Sequence, residues 1–180
     1  MTRSIVGLDL SLTSTGIAVL HPGRPPWCGT IETRGKADDT WPVRYQRLTD
    51  LARRILPPIP DCALVVMEGP AYSRTTGSQW DRAGLWWLMY DLLAGTTRQV
   101  LVVPPNTRAM YGTGRGTAGK DTVLAAAVRR YPDIDITGHD TADAVLLMAI
   151  GARMTGAPID DPMPATHLRA LAKLALPKED

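Results

Sequence analysis

Apolar residues fall into short runs that predict five β-strands. Ile5 to Leu10 is apolar and rich in β-branched residues, and Gly16 to Leu20 follows it after a polar turn, so these runs predict a hairpin. A third strand is predicted around Gly29 to Thr33. Ala63 to Met67 and Val100 to Val103 are continuous apolar runs, as in buried central strands.

Longer stretches with apolar residues at helical spacing lie between and after the later strands. Helices are predicted from about Trp41 to Leu56, Gln79 to Ala94, Lys120 to Arg130 and Asp140 to Met154. A Pro-rich segment, Ala157 to Pro164, then leads to an amphipathic tail helix, Ala165 to Leu176. Hairpin strands followed by alternating helices and strands predict an α/β fold with a mixed sheet and helices on its faces.

Composition and charge are those of an ordinary globular protein. Of 180 residues, 44% are hydrophobic and 21% are charged, and the net charge is only +2, so the placement of cations matters more than their sum. Cys28 and Cys62 lack metal-site or disulfide spacing and are expected to be small buried residues. A signal peptide is not expected, because Asp9, Ser11 and Thr13 interrupt the apolar stretch near the N-terminus. The longest apolar runs are also too short to span a bilayer. We therefore expect a cytoplasmic protein without a membrane partner.

Four acidic residues stand where a carboxylate is costly or paired with another. Asp9 lies in the first strand and Glu68 directly follows the fourth, and a buried carboxylate must be paired, hydrogen-bonded or metal-bound. Asp140 and Asp143 are one helical turn apart, so their side chains share a face. Structural alternatives stay open: Asp9 could cap a turn or pair with an arginine, and Asp140 could cap its helix.

Gathered into one cluster, these carboxylates would repel each other unless cations lay between them. Oxygen ligands with few histidines suit Mg²⁺, with Mn²⁺ as a substitute, better than zinc. Two such ions about 3.5–4 Å apart activate a water and stabilise the leaving oxygen in phosphodiester hydrolysis. We therefore predict that Asp9, Glu68, Asp140 and Asp143 are catalytic and bind two ions. His139 is expected to be a surface or capping residue, with proton transfer as the alternative.

Two loops are candidates for contact with DNA. The loop after the fourth strand contains Tyr72 and Arg74, which suit base stacking and phosphate binding, and a solvated loop is the alternative. Residues 112–120 contain four glycines and end in Lys120, and such a turn before a helix suits an anion, although it could be only a flexible loop. Most cations in the middle of the chain fall in one region: Arg108, Arg115, Lys120, Arg129 and Arg130.

The second predicted helix is apolar on more than one face. Such a helix is either fully buried or shared with a partner, and a chain of 180 residues favours a partner. A symmetric homodimer through this helix would place two active sites at a fixed separation. The apolar residues concerned run from Trp80 to Leu93 and include Leu85, Trp86, Trp87, Met89 and Leu92.

The order and spacing of these motifs resemble the RuvC Holliday-junction resolvases. Ile5 to Gly16 resembles their opening strand and turn, and residues 65–68 resemble their second acid-bearing strand. Residues 112–120 resemble their glycine loop ending in lysine, and residues 139–144 their closing acidic helix. The resemblance covers about residues 3–154. A G-x-D-x-S segment alone is weak evidence for this family, whereas four motifs in the right order and spacing are strong evidence.

The resemblance implies an RNase H-like fold, a mixed five-stranded sheet flanked by helices, in residues 1–154, with 155–180 a Pro-rich linker and short helix. It implies a homodimeric crossover junction endodeoxyribonuclease of DNA recombination and repair that nicks four-way or branched DNA symmetrically with Mg²⁺. It implies that Asp9, Glu68, Asp140 and Asp143 are the metal ligands, and that Lys120 contacts the scissile region or a phosphate.

Three features depart from the bacterial pattern. The chain has no Phe, so the aromatic residue that enters the junction in bacterial members has no identical counterpart, and Tyr72 is the nearest candidate. Arg108 stands near where a further basic residue is usual, and we expect it, Arg74 and Arg115 to bind DNA. The 155–180 extension lies outside the resemblance. These departures point to a divergent or phage-type member, acting in a bacterial or phage-infected cell.

Three other functions are compatible with parts of the sequence. The YqgF group shares the fold and trims RNA, but its members lack the broad apolar second helix. ATP-binding proteins of the actin and sugar-kinase type open with a similar strand and turn, but they need a second nucleotide-binding half for which this chain has little room. A non-catalytic junction-binding protein is the last alternative, and the presence of all four carboxylates argues against it.

Overall fold

The computed structural model describes residues 3–70 and 78–178, and a five-stranded mixed sheet forms their centre. The strand order is β3-β2-β1-β4-β5, with β1 antiparallel to β2 and parallel to β4. The α/β class and all five predicted strands are confirmed. The strands are β1 (Ile5–Asp9), β2 (Ser14–Leu20), β3 (Trp27–Glu32), β4 (Leu64–Glu68) and β5 (Gln99–Val103).

Helices cover both faces of this sheet. The predicted helices over residues 79–94 and 120–130 match the structure, and the other two long ones differ from it by one residue at one end. The helices are α1 (Trp41–Ile55), α2 (Gln79–Ala94), α3 (Pro105–Thr113), α4 (Lys120–Arg130), α5 (His139–Met154) and α6 (Ala165–Leu168), with a 3₁₀ turn at Arg169–Lys173.

Helix α3 was not predicted, and the assignment of Gly112 to a loop is wrong. The helix has only nine residues, begins with Pro105 and ends at Gly114, whose φ of 78° is the left-handed conformation that glycine adopts readily. Gly112 lies inside it, where a Cβ would come within 2.8 Å of Leu146 Cδ1. This glycine therefore allows α3 to pack closely on α5.

The alternation of side chains along the strands builds two apolar layers. Ile5 and Val66 face a cluster formed with α3, α4 and α5, whereas Val6 and Val65 face a cluster formed with α1 and α2. Helix α5 is buried from Thr141 to Ala152, because it lies directly across the sheet. This central position holds the start of α5 over the C-terminal end of β1 and the N-terminal end of β2.

The C-terminal segment returns onto the helices of the α5 side. Asp160, whose side chain is fully buried, accepts hydrogen bonds from the hydroxyls of Tyr111 at 2.7 Å and Tyr131 at 2.9 Å and pairs with Arg153. The continuous tail helix predicted over residues 165–176 is wrong, because α6 gives way to the 3₁₀ turn and then to extended chain. The division of the chain at residue 154 stays a prediction.

The two cysteines differ in their exposure to solvent. Cys28 is half-buried, whereas Cys62 is exposed, so the expectation of a buried residue is wrong for Cys62. Within the described ranges, no helix combines the length and hydropathy required to span a membrane.

Candidate active site

Two of the predicted acids meet at one edge of the sheet. Asp9 ends β1 and Glu68 ends β4, and because these strands are parallel neighbours, their carboxyl ends lie side by side. Glu68 is close enough to raise the pKa of the Asp9 carboxyl. The indole Nε1 of Trp86 donates to the backbone oxygen of Glu68 at 2.9 Å, and the amide of Gly69 donates to Val103 O at 2.8 Å. These bonds hold the end of β4 in place.

The start of α5 brings the other two acids to the same edge. Gly16 is the antiparallel partner of Asp9, and a Cβ on Gly16 would lie only 2.0 Å from the backbone oxygen of Asp140. The glycine thus lets the first turn of α5 rest on the strand pair. Gly138 is the N-cap, and its amide donates to Thr141 Oγ1 at 3.0 Å. The alternative role of Asp140 as the helix cap is therefore wrong.

Arg108 of α3 lies among these acids. Its Nε donates to Glu68 Oε1 at 2.7 Å, and its Nη1 donates to Asp143 Oδ1. All three side chains are largely buried, with 11%, 15% and 10% of the Arg108, Glu68 and Asp143 side chains exposed. The guanidinium therefore supplies the positive charge between two of the four carboxylates, and Glu68 and Asp143 are held on either side of it. Its predicted contact with DNA stays a prediction.

The cluster carries more negative charge than one arginine balances. The pKa of Asp9 is raised well above its ordinary value, first by burial and then by the charge of Glu68 and the hydrogen bond to it. Arg108 lowers that pKa, and Asp140 raises it further. Asp9 thus tends to stay protonated at pH values where a free aspartate has lost its proton. A cluster that retains a proton in this way can accommodate additional positive charge.

The donor chemistry fits a hard divalent cation, although the side-chain positions are those of an arginine-bridged cluster. Carboxylate oxygens are the ligands that Mg²⁺ and Mn²⁺ prefer. In residues 3–70 and 78–178, no group of three or more His, Cys, Asp or Glu side chains has the arrangement of a preformed metal site. Loading of a cation between Glu68 and Asp143 therefore requires the Arg108 side chain to move aside.

The raised pKa of Asp9 predicts how the stability of the metal-free protein depends on pH. Above the ordinary value of 3.8 and below the raised value, the folded protein holds a proton that the unfolded chain has released. The free energy of unfolding must then fall as the pH rises through this window. Asp9→Asn removes the ionisable group, so in EDTA the variant should be more stable than wild type at neutral pH. Denaturant titrations across pH test this, and parallel pH profiles would contradict it.

A groove of about 380 Å³ opens beside Asp9 and Glu68 and leads along α2. Trp86 and Trp87 line its α2 side, and Trp87 is 64% exposed. The two acids are therefore reachable from outside. A polymer lying along this groove would pass Asp9 and Glu68.

The remaining predicted residues lie outside the cluster. Lys120 is the exposed first residue of α4, and Arg115 is exposed on the loop before it. His139 Nε2 lies 2.9 Å from Asp121 Oδ1, which joins the starts of α4 and α5, and this position agrees with its expected surface role. Lys120 therefore lies at the same end of the domain as Asp140. The predicted DNA contacts Tyr72 and Arg74 lie outside the described residues.

Two contacts of this site were missed from the sequence. The bridging position of Arg108 could have been found, because β5 ends at the same sheet edge and Arg108 follows it by five residues. In the sequence, Trp86 stands as one residue of an apolar helix face. Its bond to the Glu68 backbone depends on how α2 returns across the sheet, which no local pattern indicates.

Comparisons with solved structures show the fold. A structure of Thermus thermophilus RuvC has a TM-score of 0.62 and 15% sequence identity, with 89% of this chain and 100% of that chain covered. A second, of T. thermophilus RuvC in complex with Holliday junction substrate, has a TM-score of 0.57 and 18% identity, with 87% and 98% covered. No family model matches the chain, and no curated protein matches it. The chain therefore has a RuvC-like, RNase H-like fold.

Proposed function

We propose that this protein is a Mg²⁺-dependent endonuclease of the cytoplasm that nicks four-way or otherwise branched DNA by two-metal phosphodiester hydrolysis. One observation supports this above all: β1, β4 and α5 bring four carboxylates to a single sheet edge on a RuvC-like fold. Burial first, and then the charge of Glu68, raise the pKa of Asp9, and a pair of divalent cations would neutralise the charge that these carboxylates carry when ionised.

Each side chain has a defined part in this proposal. Asp9, Glu68, Asp140 and Asp143 would hold the ions, which when bound supply a nucleophile at neutral pH and neutralise charge on the leaving oxygen. The groove beside Trp86 guides the strand over the acids. Lys120 and Arg115, both exposed at or before the start of α4, bind phosphates next to the scissile bond.

Symmetric cutting requires two active sites at a fixed separation, and we propose that α2 forms the dimer interface. Leu85, Met89 and Leu93 of α2 face the core, while Trp80 and Trp87 are 79% and 64% exposed. Two large exposed aromatic side chains on one helix favour a partner surface. Because Trp87 also lines the groove beside Asp9, the second protomer would lie close to the strand being cut.

Removal of the arginine bridge should make folding depend on divalent cations. Without metal, Arg108→Ala leaves Glu68 and Asp143 buried without their counter-charge, and we expect a loss of about 3 kcal/mol in the free energy of unfolding. Added Mg²⁺ should restore much of that loss and should stabilise the variant more than wild type, because metal that binds only the folded state shifts the equilibrium. Denaturant unfolding with EDTA and with Mg²⁺ measures both effects.

Arg44→Ala is the matched control for this experiment. Arg44 pairs with Asp81 at 2.7 Å, with 19% and 15% of the two side chains exposed, and the pair joins α1 to α2 away from the cluster. Its removal should also destabilise the protein, but Mg²⁺ should not compensate. Equal responses of the two variants to Mg²⁺ would contradict a cation site at the Arg108 position.

The function itself is tested by incubating the full-length protein with a synthetic four-way junction and the matching linear duplex. We expect Mg²⁺-dependent nicks at symmetry-related positions in two strands of the junction and little cutting of the duplex. Preferential cutting of RNA would instead support the YqgF-like alternative. Tight junction binding without cutting in Mg²⁺ or Mn²⁺ would support the non-catalytic alternative, which the Arg108 bridge between Glu68 and Asp143 favours.

A further inference from the structure

A second groove lies away from the acids, between α3, α4 and the C-terminal segment. Its volume is about 490 Å³. Cationic and hydroxyl side chains dominate its polar lining, and Asp161 is the acid that faces it among the described residues. Besides Asp161, the polar lining residues are Thr113, Thr122, Arg129, Arg130 and His167. This set of donors fits a phosphate-bearing ligand.

Arg130 is the half-buried centre of this groove. Its Nη1 donates to the backbone oxygen of Tyr111 at 3.1 Å, and its Nη2 lies 3.3 Å from His167 Nδ1. Within residues 3–70 and 78–178, no ion pair joins Arg129 or Arg130 to a carboxylate. A guanidinium partly removed from water without a carboxylate is costly, and an anion in the groove would offset that cost.

One face of α4 lines the groove along its length. Thr122, Ala126, Arg129 and Arg130 follow at helical spacing, so they line a single stripe. At 1.5 Å per residue, the stripe extends about 12 Å from Thr122 to Arg130. A DNA strand advances about 3.4 Å per phosphate along the duplex axis, so the stripe matches the spacing of about three to four phosphates.

The C-terminal segment joins this groove to the glycine loop. His167 Nδ1 is 2.8 Å from the backbone oxygen of Tyr111, near the end of α3. A Cβ on Gly114 would lie 3.1 Å from His167 Nε2, so the segment touches the loop that carries Arg115. The groove and the loop are therefore in contact, and the loop leads to the start of α4, where Asp121 meets His139, the residue before Asp140.

We infer that this second groove binds the backbone phosphates of a duplex arm of the DNA substrate, and that residues 161–167 complete it. This inference rests on the proposed function, because it assigns a further surface to the same substrate. Arg129, which is exposed, makes the outer contact, while Arg130 and His167 form the inner wall. Contacts of this kind add affinity without reading sequence, which suits a structure-selective enzyme.

The test measures binding of a labelled four-way junction over a range of salt concentrations in EDTA, so that cutting does not interfere. Arg129→Ala should weaken binding several-fold and should reduce the slope of log K against log salt by about 0.9, the value for one lost phosphate contact. Arg129→Lys should restore the slope, because it keeps the charge. Junctions with arms too short to reach the groove should bind wild type and variant equally.

Arg24→Ala is the matched control, because Arg24 is an exposed arginine on the turn between β2 and β3, at the opposite end of these strands from Asp9. It should leave affinity and slope unchanged. Equal affinity and slope for Arg129→Ala and wild type would overturn the inference and leave the proposed function standing. A groove that takes up inorganic phosphate but contributes nothing to junction binding would overturn it too. Normal arm binding with no cutting in Mg²⁺ would reject the proposed function alone.

Discussion

Asp143→Asn should abolish cutting of a four-way junction, by about a thousandfold or more, and leave junction binding within a few-fold of wild type. A thousandfold loss corresponds to about 4 kcal/mol of transition-state stabilisation, the scale expected when a bound cation is lost or misplaced. Asn keeps the shape of the side chain and a hydrogen bond to Arg108, but it removes the charge that a cation requires. Single-turnover cleavage and equilibrium binding measure the two quantities separately.

Asp133→Asn is the matched control, because Asp133 is exposed in the connection between α4 and α5. It carries the same chemical change and should retain wild-type cutting. If Asp143→Asn cut the junction at a rate near that of Asp133→Asn, the assignment of Asp143 as a metal ligand would be wrong.

Gly7→Ala should cost about 3 kcal/mol or more of folding free energy, because the backbone of α5 lies directly against β1. A Cβ at this position would lie 1.9 Å from the backbone oxygen of Ala144 and 2.5 Å from the amide nitrogen of Met148. These atoms belong to a buried helix and cannot turn away as a side-chain end could, so α5 must shift off the sheet. Denaturant unfolding measures the loss. Since α5 carries Asp140 and Asp143, any folded fraction should also cut poorly.

Gly119→Ala gives the comparison. Gly119 has a φ of −70° and no atom within 4 Å of an added Cβ. The substitution should cost about 1 kcal/mol or less, because Gly119 is the N-cap of α4, where Ala is less favourable than Gly but meets no clash. If the two variants were equally stable, the close approach of α5 to β1 would not exist in solution.

Local sequence patterns were sufficient to predict the strands and the long helices. The apolar, β-branched run at residues 5–10 and the continuous apolar run at 63–67 predicted β1 and β4, and the acid at the end of each predicted where a site would form. The spacing of Asp140 and Asp143 predicted a shared helical face. These features depend on residues close in sequence, or on the rule that parallel strands end at one edge.

Features that depend on distant packing were not predicted. Helix α3 is short and contains Gly112, which allows close packing on Leu146. Because glycine is rare inside helices, this sequence is typical of a loop. The tail is amphipathic along residues 165–176, but its leucines pack on the α5 side as a turn and extended chain. The bridge from Arg108 to Glu68 and Asp143 joins three separate elements, and the sequence indicated only that a basic residue was near.

The proposed chemistry requires cations to take the place that the Arg108 guanidinium occupies among the carboxylates. Anomalous diffraction from crystals of the full-length protein soaked in Mn²⁺ tests this directly. We expect two anomalous peaks between the side chains of Asp9, Glu68, Asp140 and Asp143, with Arg108 turned away from Asp143. Crystals that show no peak at this edge under saturating Mn²⁺, with Arg108 still bonded to Glu68 and Asp143, would contradict it.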